Sequence, residues 1–223
     1  MLISQPLGFS HDLTNVKVQF SDADRILVPW PEAIFRWPDE LAPYLAKVLR
    51  IDPILSIPLG GVRRNPQPGM IYAAVGRDRP VFEPWLRSAV EIARQQDSRV
   101  SLILQEDLAA RAAHVERVLS ADLLVSQGTT MVFEALALGI PRIHVPNPEA
   151  SEQLTLANML EQRGAVASKR VDRDSADVLS EELLQLLFDR EARERQVAAG
   201  QGIVEGSGVD RAARAILELA GRP

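Results

Sequence analysis

The sequence predicts an α/β protein: a mainly parallel sheet with helices on both faces, preceded by a shorter N-terminal part of different build. Three observations predict it. Through the last two thirds of the chain, short apolar runs of strand character alternate with runs of helical periodicity. Several of the strand runs stop at glycine or a small polar residue. The first third, by contrast, is interrupted by Pro29, Pro31, Pro38, Pro43, Pro53, Pro58, Pro66 and Pro68 and carries little helical pattern. Repeated strand–helix alternation implies parallel neighbours, because each helix returns the chain to the same end of the sheet.

Taken in order, Val16 to Phe20 and Arg25 to Val28 fit strands of the N-terminal part. Ile54 to Pro68 reads as a linker: apolar residues, then Gly60-Gly61, two arginines and two prolines. Met70 to Gly76 is a buried-strand pattern stopped by glycine. Val81, Trp85, Ala89 and Ile92 or Ala93 then share one helical face. Val100 to Leu104 is the next strand, Glu106 to Leu119 a helix rich in alanine and charge, and Leu123 to Ser126 a third strand. Helix Met131 to Leu138, strand Arg142 to Val145, helix Glu152 to Gln162 and strand Ala165 to Ala167 continue the series. Val178 to Phe188, Glu191 to Ala199 and Asp210 to Leu219 close it as helices. The expected boundaries are 1–58 for a remnant domain, 59–69 for a linker and 70–223 for the α/β domain. Sheets of this kind bind ligands at the carboxyl ends of their strands, so the informative loops follow Val75, Leu104, Ser126 and Val145.

Composition narrows the chemistry. The 223 residues contain no cysteine, which removes disulfides, cysteine nucleophiles and thiolate metal sites. His11, His114 and His144 stand far apart without metal-ligand spacing. A net charge of −5 and a pI near 5.3, with no basic block, argue against general nucleic-acid binding. No apolar run approaches the ~20 residues of a spanning helix, and Met1 to Pro6 lacks the pattern of a secretory signal. A cytoplasmic protein is expected.

The stretch from Ala121 to Ala165 carries the functional signal. A strand ends at Ser126 or Gln127, Gly128-Thr129-Thr130 makes a tight turn, and a helix begins at once. Such a turn aims backbone N–H groups and the positive helix end at one spot beyond the sheet, a place for phosphate. Gly128 permits close approach and the two hydroxyls can donate to phosphate oxygens. Helix capping by Thr129 or Thr130 is the alternative, but Glu134 follows them by five and four residues, out of register for a capping box. Glu134 is expected on an exposed helix surface, one turn in and on the face of Thr130. There it either accepts from sugar hydroxyls or stands as a solvated glutamate. Gly139 and Pro141 supply the helix stop.

This stretch resembles the donor half of two-domain, GT-B type glycosyltransferases, and most of all the group of the lipid II-forming N-acetylglucosaminyltransferase. The residues that carry the resemblance are Ala121-Asp122-Leu123-Leu124-Val125-Ser126, Gly128-Thr129-Thr130, Glu134, Gly139-Ile140-Pro141, Val145-Pro146, Glu152-Gln153, Asn158 and Gly164-Ala165. The resemblance implies a Rossmann-like sheet forming the C-terminal half of a GT-B fold, with residues 1–58 a remnant of the acceptor-type half. It implies that Gly128, Thr129 and Thr130 hold the diphosphate of a UDP-sugar donor, that Glu134 binds the ribose and that Gln153 touches the donor sugar. Gly76 matches the inter-domain glycine loop; beside it Arg77 and Arg79 can contact phosphate or serve as solvated loop charges. No catalytic residue, metal or cofactor is assigned. An acceptor half is implied from a partner protein, a second copy or a longer reading frame. Nucleotide-sugar hydrolysis or epimerisation on the same fold, and a non-catalytic nucleotide-sugar-binding subunit, are the competing functions.

Other motifs in the sequence carry no such signal. Asp22-Ala23-Asp24 and Asp172-Arg173-Asp174 spell D-x-D but lie outside the pattern above. Gly200, Gly202, Gly206 and Gly208 are not spaced as a dinucleotide fingerprint and follow no strand. Trp30, Trp37 and Trp85 read as core or interface aromatics.

Overall fold

The computed structural model describes residues 14–31, 39–57, 59–74, 79–105 and 111–221. They divide into two compact units: residues up to Ser56 together with those from Ile203 onward, and Ile57–Gly202.

The larger unit holds strands β3 (Met70–Ala74), β4 (Ser101–Leu104), β5 (Leu123–Ser126), β6 (Arg142–His144) and β7 (Ala167–Ser168). Between and after them run helices α2 (Arg79–Gln96), α3 (Arg111–Ser120), α4 (Thr129–Leu138), α5 (Ser151–Gln162), α6 (Ala176–Phe188) and α7 (Arg190–Gly200). All five strands pair in parallel, in the order β4-β3-β5-β6-β7. The predicted α/β class is therefore what the chain adopts. Residues Glu106 to Ala110, the start of one predicted helix, lie outside the described residues.

Strand alternation divides the core. Ile71, Ala73, Leu123, Val125, Ile143 and Val145 face Phe82, Leu86, Ala89 and Val90 of α2 and Leu179, Leu183 and Leu186 of α6. On the other face, Met70, Tyr72, Ala74 and Leu124 meet Val118 of α3 and Met131 and Ala135 of α4. A period of two along each strand, matched to helices with apolar stripes, is the reason both layers form.

Two buried polar residues tie the layers down. Arg142 spends its guanidinium on the carbonyls of Ala165 (2.7 Å), Ile140 (3.1 Å) and Gln196 (3.4 Å). Its own backbone N–H and C=O are bonded by the Gln196 side chain. Burial pushes the Arg142 pKa down to about 9. Asp122 accepts from the Gly69 N–H and from Arg193. The aspartate that opens the motif therefore fastens the amino-terminal ends of the strands, not a ligand.

The smaller unit contains α1 (Thr14–Asp22), β1 (Ile26–Val28), a 3-10 helix (Asp39–Lys47), β2 (Val48–Arg50) and α8 (Gly208–Ala220). β1 and β2 form a two-stranded parallel sheet, with Leu27, Ile51 and Ala215 of α8 in a small core. The strand expected over Val16 to Phe20 is helical instead. Lys47 accounts for the end of that helix: its ammonium donates to the carbonyls of Phe20 (3.1 Å) and Ser21 (2.8 Å). The sequence reading runs the α/β domain to residue 223, whereas α8 groups with the N-terminal residues.

Candidate functional site

In the larger unit β3 has β4 on one side and β5 on the other, so the chain leaves it in opposite directions. A crevice is expected outside the carboxyl ends at that reversal, between the loops after β3 and β5. The loop after β3 carries Gly76, Arg77 and Asp78, which lie outside the described residues. The loop after β5 is the Gln127-Gly128 turn into α4.

Gly128 is the N-cap of α4, with extended backbone (φ −90°, ψ 143°) and no side-chain hydrogen bond capping the helix. A Cβ built there would meet nothing within 4 Å. Gly128 and Thr130 are exposed and Thr129 half-buried. The start of α4 thus has an N-cap residue that offers no side-chain cap and open space at its Cβ position, the condition under which its positive end serves an outside anion. Its other end closes normally: Gly139 is left-handed (φ 61°), and its N–H donates to the Ala135 and Leu136 carbonyls.

Glu134 departs from expectation. It is 1% exposed, not on an open helix surface, because α4 buries every residue from Met131 to Leu136. Its carboxylate lies 3.5 Å from His114 Nε2 on α3, and His114 Nδ1 lies 2.9 Å from the Tyr72 hydroxyl on β3. Burial, joined by the nearby Glu134 charge and opposed by Arg117, pushes the Tyr72 pKa up to about 12, so the phenol stays protonated. Tyr72 and His114 were missed by sequence reasoning. A tyrosine inside an apolar strand was the available signal, since a buried hydroxyl requires a partner.

Gln153 is half-buried on α5, and its side-chain oxygen accepts from the Asn147 N–H at 2.9 Å. What it can offer a ligand is its NH2 group. Asn158 is exposed on the same helix. Arg79 bonds Glu83 (2.9 Å) and the Gln105 carbonyl (3.3 Å). Asp172 pairs with Arg170 at 2.6 Å and Asp174 accepts the Arg170 N–H, which makes the second D-x-D a salt-bridged turn. Trp85 packs on Phe82 and donates to the Asp174 carbonyl. Trp37 lies outside the described residues. An open depression of about 300 Å³, lined by Arg64, Gly139, Pro141 and Arg193 among others, contains none of the predicted site residues.

Comparison with known proteins bears on part of the sequence and on the fold. Residues 98–208 match the glycosyltransferase family 28 C-terminal domain. The fold is that of the C-terminal half of a GT-B glycosyltransferase. Among solved structures, the glycosyltransferase of kitacinnamycin aligns at 19% identity with a TM-score of 0.62, over 87% of this chain and 54% of that one. The glycosyltransferase VinC in complex with DTDP aligns at 17% identity and a TM-score of 0.53, over 88% and 51%. MurG of Acinetobacter baumannii aligns at 16% identity and a TM-score of 0.54, over 93% and 63%. The chain therefore spans little more than half the length of the structures it matches. No curated protein matches the chain. Among the described residues no helix is long and apolar enough to cross a membrane.

Proposed function

We propose that this chain is the donor half of a glycosyltransferase, which binds a UDP-sugar in front of α4 and delivers the sugar to an acceptor hydroxyl. Gly128, Thr129 and Thr130 take the diphosphate, joined by Gly76. Glu134 takes the ribose, and the Gln153 NH2 group takes the donor sugar. The acceptor oxygen attacks the anomeric carbon and the bond from that carbon to the diphosphate oxygen breaks. The nucleotide leaves with the electron pair, and the acceptor's proton passes to a base outside the residues assigned here.

The observation that carries this reading is the open start of α4 at the reversal point of a parallel sheet. A diphosphate gaining charge there meets preorganised N–H groups. Each helix-end interaction is worth roughly 0.3–1 kcal/mol when exposed and up to ~2 when partly buried. A catalytic effect therefore requires closure by an acceptor half, supplied by a partner protein, a second copy or a longer reading frame of which this chain is a portion. The observations that support such a partner are the two-stranded parallel sheet and the exposed Leu45, Leu49, Val209, Ile216 and Leu217, all in the smaller unit.

The test is calorimetric titration with UDP and UDP-sugars, with Gly128→Val and Glu134→Gln as variants. Gly128→Val is expected to stay folded with a loss in melting temperature of no more than about 5 °C from the poorer N-cap, because its Cβ meets nothing within 4 Å. It should lose UDP binding. Glu134→Gln, chosen over alanine because the site is buried, should weaken UDP by roughly tenfold or more, the scale of a hydrogen bond to a charged group. Unaltered UDP affinity in Gly128→Val would overturn the assignment. Free sugar or an epimer formed from UDP-sugar without acceptor would select hydrolysis or epimerisation over transfer.

A further inference from the structure

We infer that His114 is a positioning residue of the nucleotide site, its Nε2–H holding the Glu134 carboxylate while Tyr72 fixes the tautomer that allows it. This rests on the ribose role proposed for Glu134. Three elements converge: Tyr72 from β3, His114 from α3 and Glu134 from α4. Tyr72 and Glu134 are each 1% exposed and the His114 side chain 16%.

The tautomer follows from donor counting. A neutral imidazole carries one N–H and one lone pair. If Nδ1 carried the proton, the Nε2 lone pair would face the Glu134 carboxylate at 3.5 Å, a repulsive contact inside a buried site. If Nε2 carries it, the phenol donates to Nδ1 at 2.9 Å and Nε2–H points its positive end at the carboxylate. Every group then has the right polarity. The high phenol pKa keeps that donor in place at neutral pH. Arg117, on the same helix as His114, is the other charge acting on Tyr72.

Geometry ties this chain of contacts to the open helix start. Glu134 lies four residues, about one turn, beyond Thr130, so both sit on one face of α4. In the proposed binding mode, a nucleotide whose diphosphate occupies the Gly128 turn extends along this face toward Glu134, which is itself 1% exposed. Holding that carboxylate in one rotamer before binding spares the ordering cost at the moment of binding.

The experiment is titration of the full chain with UDP and, separately, inorganic pyrophosphate, for wild type, His114→Gln, His114→Asn and Tyr72→Phe. A glutamine places its NH2 near the Nε2 position and can still donate to Glu134. An asparagine reaches only toward Tyr72. His114→Gln should keep UDP affinity within about threefold, whereas His114→Asn should lose roughly tenfold, the scale of one hydrogen bond. Tyr72→Phe, nearly equal in volume, should fall between. Pyrophosphate affinity should be the same in all four proteins. Equal UDP affinity in His114→Asn and wild type would overturn the inference. So would equal losses of UDP and pyrophosphate, which mark general damage. Absence of UDP binding in the wild type would instead remove the donor-site reading beneath it.

Discussion

His144 is fully buried at the end of β6, with Nδ1 donating to the Ser126 carbonyl at 3.1 Å and Nε2 without a hydrogen-bond partner. Burial pushes its pKa down to about 4 from an ordinary 6.5, only partly offset by the Ser126 contact. The unfolded chain therefore binds a proton between about pH 6.5 and 4 while the folded one does not, and stability falls as pH drops through that window. The expected loss is about 3 kcal/mol at most. His144→Asn keeps an N–H donor for Ser126 and should flatten this part of the pH profile in denaturant melts. A wild-type profile that is flat from pH 6.5 to 4 would contradict the burial argument. The same scale shows why some residues of the candidate site were legible in the sequence and others not. Gly128, Thr129, Thr130 and Glu134 lie within one local turn and helix, where spacing speaks directly. Tyr72 and His114 are separated by 42 residues and meet only across two elements, so no local pattern joins them.

At the scale of elements, two helix starts contrast. That of α4 is open. That of α8 is held by Asp52, whose carboxylate accepts from the N–H groups of Glu205 (3.1 Å), Gly206 (2.6 Å) and Ser207 (3.1 Å). Burial raises the Asp52 pKa in spite of these donors. Gly208 begins α8 so close to this segment that a Cβ would stand 2.3 Å from the Pro53 carbonyl oxygen and 2.5 Å from that of Asp52. Gly208→Ala should cost about 1–3 kcal/mol in chemical denaturation, as backbone must shift to admit it. An unchanged midpoint would show that the approach is looser than described. Helix ends built on Gly139 and Pro141 were readable because their chemistry is local. Val16 to Phe20 was not: it alternates apolar and polar residues over a span too short to separate strand from helix, and the contact that closes the helix comes from Lys47, 26 and 27 residues away.

On the scale of the whole molecule, strand–helix alternation announced the parallel sheet. The order β4-β3-β5-β6-β7 depends on long-range register that no single segment encodes. The units also differ in what they leave outside. In the smaller one α8 exposes Val209, Ile216 and Leu217, the last at 72%. This stripe should bind a hydrophobic dye such as anilinonaphthalene sulfonate in the folded state. Replacing Ile216 and Leu217 together by glutamate should remove most of that signal without lowering the melting temperature. Full dye binding in the double variant would place the apolar surface elsewhere. In the larger unit Gly128 leaves the space before α4 bare, and that bareness separates two demands usually entangled. An aspartate at 128 would supply a side-chain N-cap for α4, so architecture alone would welcome it by a few tenths of a kcal/mol or more, while its charge would repel the diphosphate that we propose binds there. Glycine at 128 thus forgoes a capping contact and keeps the ground before the helix bare.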